Sequence, residues 1–152
     1  MKNKFSGVLT ALVTPFKNGE VDFLSFERLI LKQLEEGVNG FIVNGTTGES
    51  PVLEIEEVKA LFDMAKKLCR EKVPVILGTG SHSTKKTIQM TQLAQEWGAD
   101  GALVVTPYYN KPPQRGLLAH FLAVADETQI QLSFTMFLVE LPFHWMWKQL
   151  LH

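Results

Sequence analysis

The sequence is poor in cysteine, in excess charge of either sign and in long apolar runs, and each shortage excludes a class of protein. Its single cysteine, Cys69, allows no internal disulfide and no multi-cysteine metal site, and we expect a buried structural thiol there. The 15 basic and 16 acidic side chains nearly cancel, which argues against partners such as nucleic acid or an anionic membrane. The first residues lack the apolar stretch of a signal peptide, so we expect a cytoplasmic protein that acts on small molecules.

Apolar runs of strand length alternate with longer segments of helical period along most of the chain. The predicted strands are residues 8–14, 41–44, 75–77 and 102–106, each followed by a predicted helix. The runs are apolar on both sides of the pleat, which is typical of a parallel sheet covered by helices. The pattern therefore predicts an α/β fold of four βα units with right-handed crossovers.

Two folds share this alternation: the eight-stranded barrel and the open, doubly wound sheet. Glycine, threonine and tyrosine cluster after the predicted strands, where both folds place their sites, so the clustering does not separate them. The first strand is followed by Thr14-Pro15-Phe16 and not by the G-x-G-x-x-G fingerprint of dinucleotide-binding domains. A dinucleotide-binding domain is therefore not favoured.

Two motifs after the strands carry a resemblance to a known family. Residues 45–49 read G-T-T-G-E, and residues 105–112 read V-T-P-Y-Y-N-K-P. With the T-P-F after the first strand, they are similar to motifs of the dihydrodipicolinate synthase family, within the superfamily that includes N-acetylneuraminate lyase. The resemblance runs from about Phe5 to Ile130 and implies the first four βα units of a TIM (β/α)8 barrel, a fold of about 250 residues.

The resemblance also implies a chemistry. Members of the family condense pyruvate with aspartate semialdehyde, on the route to diaminopimelate and lysine, through a Schiff base on a lysine of the sixth strand. It implies no cofactor and no metal, pyruvate as substrate, and a homotetramer built as a dimer of dimers. Such chemistry needs a neutral, desolvated amine, donors for the carboxylate and hydroxyls that relay protons. An N-acetylneuraminate lyase-like or other 2-oxo acid aldolase is the alternative activity.

By the same resemblance, the G-T-T-G-E turn supplies part of the site. Thr46 would be the catalytic relay hydroxyl and Thr47 a donor to the substrate carboxylate. Gly45 and Gly48 would form the turn that brings backbone N–H groups close to the anion. The alternative is a helix start in which Thr47 or Ser50 caps the backbone.

The two tyrosines of the second motif are assigned to an interface by the resemblance. Tyr109 would reach across a dimer interface into the relay of the neighbouring subunit, and Tyr108 would lie at that interface. The alternative is that both rings pack within their own loop against Pro107 and Pro112.

The family's lysine-feedback site can be compared in the same way. By the resemblance, Ile55 and Val58 occupy positions where lysine-sensitive members have histidines. Lys86 occupies a position where those members have a glutamate. The departures predict weak or absent inhibition by lysine in any intact relative of this chain.

The pattern breaks after the fourth unit. Residues 1–130 form the predicted half barrel, and residues 131–152 are predicted to be a non-native tail without a fold of its own. The stretch 132–141 is far shorter than the roughly 20 apolar residues of a membrane span, while 134–139 favours aggregation. Since the family's fifth-strand motif, P-I-x-L-Y-N-V-P-x-R-T, is not found, we hypothesise a frameshift near Ile130.

No lysine lies in a predicted strand, and Lys17, Lys111 and Lys148 are expected in loops or the tail. We therefore expect no Schiff-base lysine in this chain, no activity of the chain alone, and poor stability from the two open sheet edges. Residual 2-oxo acid aldolase activity in an assembled dimer is a second interpretation. A non-catalytic module that docks on a full-length relative through the Tyr108-Tyr109 surface is a third.

Overall fold

The computed structural model describes residues 5–135. They form four α-helices and seven β-strands. The helices are α1 (Phe23–Glu35), α2 (Ile55–Cys69), α3 (Thr84–Glu96) and α4 (Gln114–Asp126). The strands are β1 (Leu9–Ala11), β2 (Phe16–Lys17), β3 (Glu20–Val21), β4 (Gly40–Val43), β5 (Val75–Gly78), β6 (Gly101–Val105) and β7 (Leu132–Thr135).

Five strands make one parallel sheet in the order β1-β4-β5-β6-β7, and β2 and β3 form a separate antiparallel hairpin. Each strand of the large sheet pairs with the one that follows the next helix along the chain. A doubly wound sheet reverses its strand order at a switch point, whereas this sheet runs in chain order throughout. The four predicted βα units are therefore confirmed, and the order within residues 5–135 favours the barrel.

Side chains at the helix starts explain where the helices begin. The Asp22 carboxylate accepts a hydrogen bond from the Ser25 backbone N–H at 3.1 Å at the start of α1. At the start of α2, Glu54 and Glu57 form a capping box, in which the Glu54 N–H donates to Glu57 Oε2 at 2.9 Å. Such caps satisfy backbone donors that have no partner within the helix.

The main core lies between the sheet and the helices. Phe41, Val43, Val75 and Leu77 point from β4 and β5 toward α1 and α2 and are buried. Cys69 belongs to the same cluster at 1% exposure, and burial raises the pKa of its thiol to about 11. The expectation of a buried thiol is confirmed.

The opposite, concave face of the sheet is less well covered by residues 5–135. Strand alternation puts Ile42, Ile76, Leu103 and Val105 on that face; Ile76 is buried, whereas the other three are only partly buried. Val13, just beyond β1, is 47% exposed. In a closed barrel this face packs against the strands opposite.

Two features differ from the sequence-based expectation. Asn18 and Gly19, both at positive φ, turn the unpredicted hairpin and place Lys17 in a strand rather than in a loop. Residues 132–135, which belong to the predicted tail, form β7, because Leu132 and Phe134 pack against the apolar side of α4. The rest of that tail, residues 136–152, lies outside the described residues, so its separation as a second region stays a prediction.

In the part of the chain that the structure describes, no helix has the length and apolar character needed to cross a membrane.

Candidate functional site

The carboxyl ends of the parallel strands surround a small cavity of about 40 Å³. Its lining combines the turn after β4 with the inward-facing residues of the neighbouring strands: Asn44, Gly45, Thr46, Ser50, Gly78, Gly80, Leu103, Val105 and Thr135. Parallel α/β folds place their ligands at this end of the sheet. We therefore take this cavity and the turn beside it as the candidate site.

The G-T-T-G-E turn is hydrogen-bonded to, and packs closely against, the chain at the end of the first strand. Thr46–Gly48 is one turn of 3-10 helix, and Glu49 follows in the left-handed region with φ 56°. The Thr14 hydroxyl donates to the Gly48 carbonyl oxygen at 2.7 Å. A Cβ at Gly48 would come within 3.1 Å of the Leu12 carbonyl oxygen, a tight contact that would require a shift of a few tenths of an ångström.

The structure brings some of the predicted turn residues into the cavity. Gly45 and Thr46 line it, whereas Thr47 is exposed beside it. Neither 3-10 turn in this region has a side-chain cap, and Glu54 caps the following helix. The alternative that Thr47 or Ser50 serves as a helix cap is therefore wrong, while the catalytic roles of the threonines stay predictions.

Asn44, immediately before the turn, is a site residue that the sequence analysis missed. Its backbone is left-handed, with φ 59°, and its Nδ2 donates to the Gly78 carbonyl oxygen at 2.8 Å. Its Oδ1 is buried without a hydrogen-bond partner among the described residues. The only sequence signal was a polar residue at the end of an apolar strand.

A second cavity, of about 190 Å³, adjoins the first and shares Asn44, Ser50, Gly78 and Gly80 with it. Its remaining lining residues are Pro51, Thr79, Ser81, Lys86, Met90 and Tyr108. Lys86 thus lines this cavity, and its ammonium would repel a cationic ligand there. Whether the cavity corresponds to the family's lysine-feedback site stays a prediction.

The tyrosines of the second motif lie next to His82, which the sequence analysis did not single out. The His82 ring centroid is 5.7 Å from that of Tyr108 and 6.2 Å from that of Tyr109, both edge to face. Tyr109 is 83% exposed, which leaves little surface for packing within its own loop. It lines neither of the two cavities, so the structure does not bring it to Thr46 within one chain.

A buried polar layer supports α3 and α4 behind the site. The Thr91 hydroxyl lies 2.9 Å from that of Thr79, and the Thr84 hydroxyl lies 2.9 Å from His120 Nδ1. His120 is 4% exposed, its Nε2 has no partner among the described residues, and burial lowers its pKa. The neutral imidazole is therefore the form that fits this environment.

Within residues 5–135, no three histidine, cysteine, aspartate or glutamate side chains lie close enough together to bind a metal ion.

A parallel sheet in chain order, with helices on its outer face and a cavity at its carboxyl end, defines the class: the first half of a (β/α)8 barrel. Residues 4–135 match the model of the dihydrodipicolinate synthetase family, and the chain belongs to that family. The family and fold expected from the sequence motifs are confirmed.

The relatives show how much of the family's barrel is present. The 4-hydroxy-tetrahydrodipicolinate synthase of Bdellovibrio bacteriovorus is 58% identical over 130 residues, which cover 86% of this chain and 44% of the relative. The solved dihydrodipicolinate synthase of Thermotoga maritima has a TM-score of 0.85 at 48% identity and covers 87% of this chain and 45% of that one. The enzyme of Acinetobacter baumannii, solved with pyruvate, has a TM-score of 0.81 at 41% identity. The match covers 84% of this chain and 44% of the Acinetobacter chain. The chain thus spans less than half the length of these relatives.

Proposed function

We propose that this chain carries the pyruvate-carboxylate part of a 4-hydroxy-tetrahydrodipicolinate synthase site. In this proposal Thr46 relays protons, and Thr47 with the N–H groups of the turn donates to the carboxylate. The observation that carries it is the G-T-T-G-E turn, hydrogen-bonded to Thr14, at the rim of the cavity. The name of the Bdellovibrio relative and the pyruvate complex of the Acinetobacter enzyme support it.

Calorimetry with pyruvate tests the binding part of the proposal. Thr47→Val removes the hydroxyl donor and should weaken pyruvate binding by about tenfold to a hundredfold, the usual effect of one hydrogen bond to a charged group. Thr10→Val is the matched control, since Thr10 lies in β1 and lines neither cavity. Equal effects of the two substitutions would contradict the role of Thr47.

We propose further that the chain alone forms no Schiff base. Imine formation joins a neutral lysine amine to the C2 carbonyl of pyruvate and releases water, so the amine must be sheltered at the barrel mouth. In residues 5–135, none of the five parallel strands carries a lysine. Lys17 lies in the hairpin and is exposed, and Lys86 is exposed beside the second cavity.

Borohydride reduction in the presence of pyruvate tests this absence. The reagent converts an imine into a stable amine, so the intact mass of the chain should stay unchanged after treatment. The full-length Bdellovibrio relative serves as the positive control. A reduced pyruvate adduct on any lysine of this chain would contradict the proposal and would favour the residual aldolase activity considered above.

An association with other chains of the family is a second proposal, and the exposure of Tyr109 favours it. The Tyr108-Tyr109 surface would dock on another subunit or on a full-length relative. Tyr109→Ser should reduce co-purification with a full-length relative, whereas Leu24→Ser, at a side chain 67% exposed on α1, should not. Unchanged co-purification of the Tyr109 variant would contradict the proposal.

A cytoplasmic location and the frameshift near Ile130 stay predictions. Cell fractionation tests the first, and the other reading frames of the coding DNA test the second.

A further inference from the structure

A groove on the outside of the helix layer is separate from the candidate site. It runs between α1 and α2 and has a volume of about 580 Å³. Its residues come from the two helices and from the segments that lead into β4 and β5, at the amino ends of those strands. None of them lines either cavity at the carboxyl ends of the strands. We call this feature the outer groove.

Most of the outer groove is apolar. The side chains that form this part are Leu31, Leu34, Val38, Leu68 and Val73. Four of them are partly buried and pack against the main core, whereas Leu31 is 42% exposed. The groove lies between two neighbouring helices and is therefore not one of the open edges of the sheet. A concave apolar surface of this volume is typical of small-molecule sites.

One end of the outer groove is positively charged. Lys67 and Arg70 stand at the end of α2, Lys72 follows in the loop to β5, and all three are exposed. Among residues 5–135, none of the three forms an ion pair. The one carboxylate of the lining, Glu27, lies about two turns of α1 before Leu34, toward the other end. The carboxyl ends of α1 and α2 add only about half a negative charge each, so a positive excess remains.

The conformation of the turn after α2 does not account for the arginine in it. Arg70 is the left-handed residue that ends α2, with φ 47°, and Glu71 follows at φ 62°. Glycine is the usual residue at such a helix end, because a side chain raises the energy of the left-handed conformation. Arginine is therefore disfavoured locally, and the charge that it adds to the groove is a feature that the turn does not require.

We propose that the outer groove binds a soluble acid with an unbranched apolar chain. The carboxylate lies at Lys67, Arg70 and Lys72, and the chain lies against the leucines and valines. Nine residues line the groove, whereas a stable protein interface takes about 20–30 from each partner, so a small molecule fits better than a second copy of the chain. Glu27 to Leu34 spans about 10 Å of α1, which makes octanoate a suitable probe.

Two pairs of ligands separate the effect of the chain from the effect of the charge in calorimetry of the full-length protein. Octanoate should bind about tenfold to a hundredfold more tightly than butyrate, because it has four more methylenes to bury. Octanoate should also bind about fivefold more tightly than octylamine, which has the same chain and the opposite charge. Added salt should reduce this second difference, since the cations are exposed.

Four variants test the two parts of the groove. Leu31→Ser should weaken octanoate binding about fivefold and leave butyrate binding unchanged, since the leucine contacts only the chain. Arg70→Asn, which keeps a residue that tolerates the left-handed backbone, should weaken both acids about twofold to fivefold. Leu24→Ser and Arg115→Asn alter exposed side chains of the same types outside the groove and should change neither affinity.

Amide NMR spectra locate the bound acid. Octanoate should shift the amides of the groove, around Leu68 and Val73. Shifts centred on the concave face of the sheet, around Leu103 and Val105, would overturn the proposal, because that open apolar face could also take up a chain. Failure of octanoate to bind, equal affinities of octanoate and octylamine, or binding that Leu31→Ser and Arg70→Asn leave unchanged would overturn it as well.

A second copy of the chain is the competing occupant. Self-association that Leu31→Ser abolishes and octanoate does not affect, measured by sedimentation, would assign the groove to an interface between copies and overturn the proposal. Pyruvate has no apolar chain and is not expected to bind here. The outer groove shares no residue with the proposed carboxylate site, so each proposal can fail without the other.

Discussion

Gly78 provides the sharpest test of how β4 and β5 meet at the candidate site. A Cβ added at Gly78 would lie 2.6 Å from the Asn44 carbonyl carbon and 3.0 Å from the Gly45 nitrogen, and nearer still to the Asn44 carbonyl oxygen. All three atoms are backbone, so no rotamer change relieves the overlap. Gly78→Ala must push the two strand ends apart by about 1 Å to reach ordinary carbon contacts of about 3.5 Å.

The magnitude follows from the same geometry. Overpacking costs about 1–3 kcal/mol, and contact with rigid backbone belongs at the upper end of that range. The separation also stretches the 2.8 Å hydrogen bond from Asn44 to Gly78, a loss of about 1 kcal/mol. We expect Gly78→Ala to lower the free energy of unfolding by about 3–4 kcal/mol, a large share of the 5–15 kcal/mol typical of domains.

Gly45→Ala is the matched control in the same turn. Its backbone has φ −80°, and the nearest atom to an added Cβ is Ile42 Cγ2 at an ordinary 3.6 Å. We expect a change within about 0.5 kcal/mol. Urea unfolding followed by circular dichroism measures both variants, with hydrogen exchange of the β4 and β5 amides as a local readout. Equal stability of the two variants would refute the close approach of β4 and β5.

Three further predictions concern buried groups. Burial lowers the pKa of His120 in the folded chain, so the unfolded chain binds more protons below about pH 6.5, and stability should fall as pH drops through that range. His120→Gln should flatten the pH dependence of the free energy of unfolding between pH 7 and pH 5 in urea titrations, whereas substitution of the exposed His82 by Gln should not. The same pH dependence in both variants would contradict the attribution of the effect to His120. Cys69, 1% exposed with its pKa raised to about 11, should react with a thiol reagent at pH 8 only after unfolding; rapid labelling of the folded chain would exclude its burial. The rings of Phe121 and Phe134 lie 4.4 Å apart, so their alanine double-mutant cycle should give a coupling of about 0.5–1.5 kcal/mol, and zero coupling would argue against docking of β7.

Much of the fold could be predicted from the sequence because the buried strands are short, nearly continuous apolar runs. The predicted strands at 41–44, 75–77 and 102–106 agree with β4, β5 and β6 to within a residue at each end. The β2–β3 hairpin was missed despite its Asn-Gly turn, since strands of two residues have no measurable periodicity. At β7 a change of composition concealed four residues that extend the sheet.

The site was only partly predictable. Motif resemblance found the G-T-T-G-E turn and both tyrosines, because those residues are adjacent in sequence. The pairing of Asn44 with Gly78 joins residues 34 apart and depends on a left-handed backbone, which no local pattern specifies. The contacts of His82 with the rings of Tyr108 and Tyr109 likewise depend on how the loops after β5 and β6 meet in space.

The central claim, that the turn after β4 receives the carboxylate of pyruvate, is tested most directly by titrating the labelled chain with pyruvate and following its backbone amides by NMR. We expect saturable changes in the amide chemical shifts of residues 44–50. The amides that line the groove between α1 and α2, around Leu34 and Lys67, should not shift. No shifts in residues 44–50 at saturating pyruvate, or shifts centred on that outer groove, would contradict it.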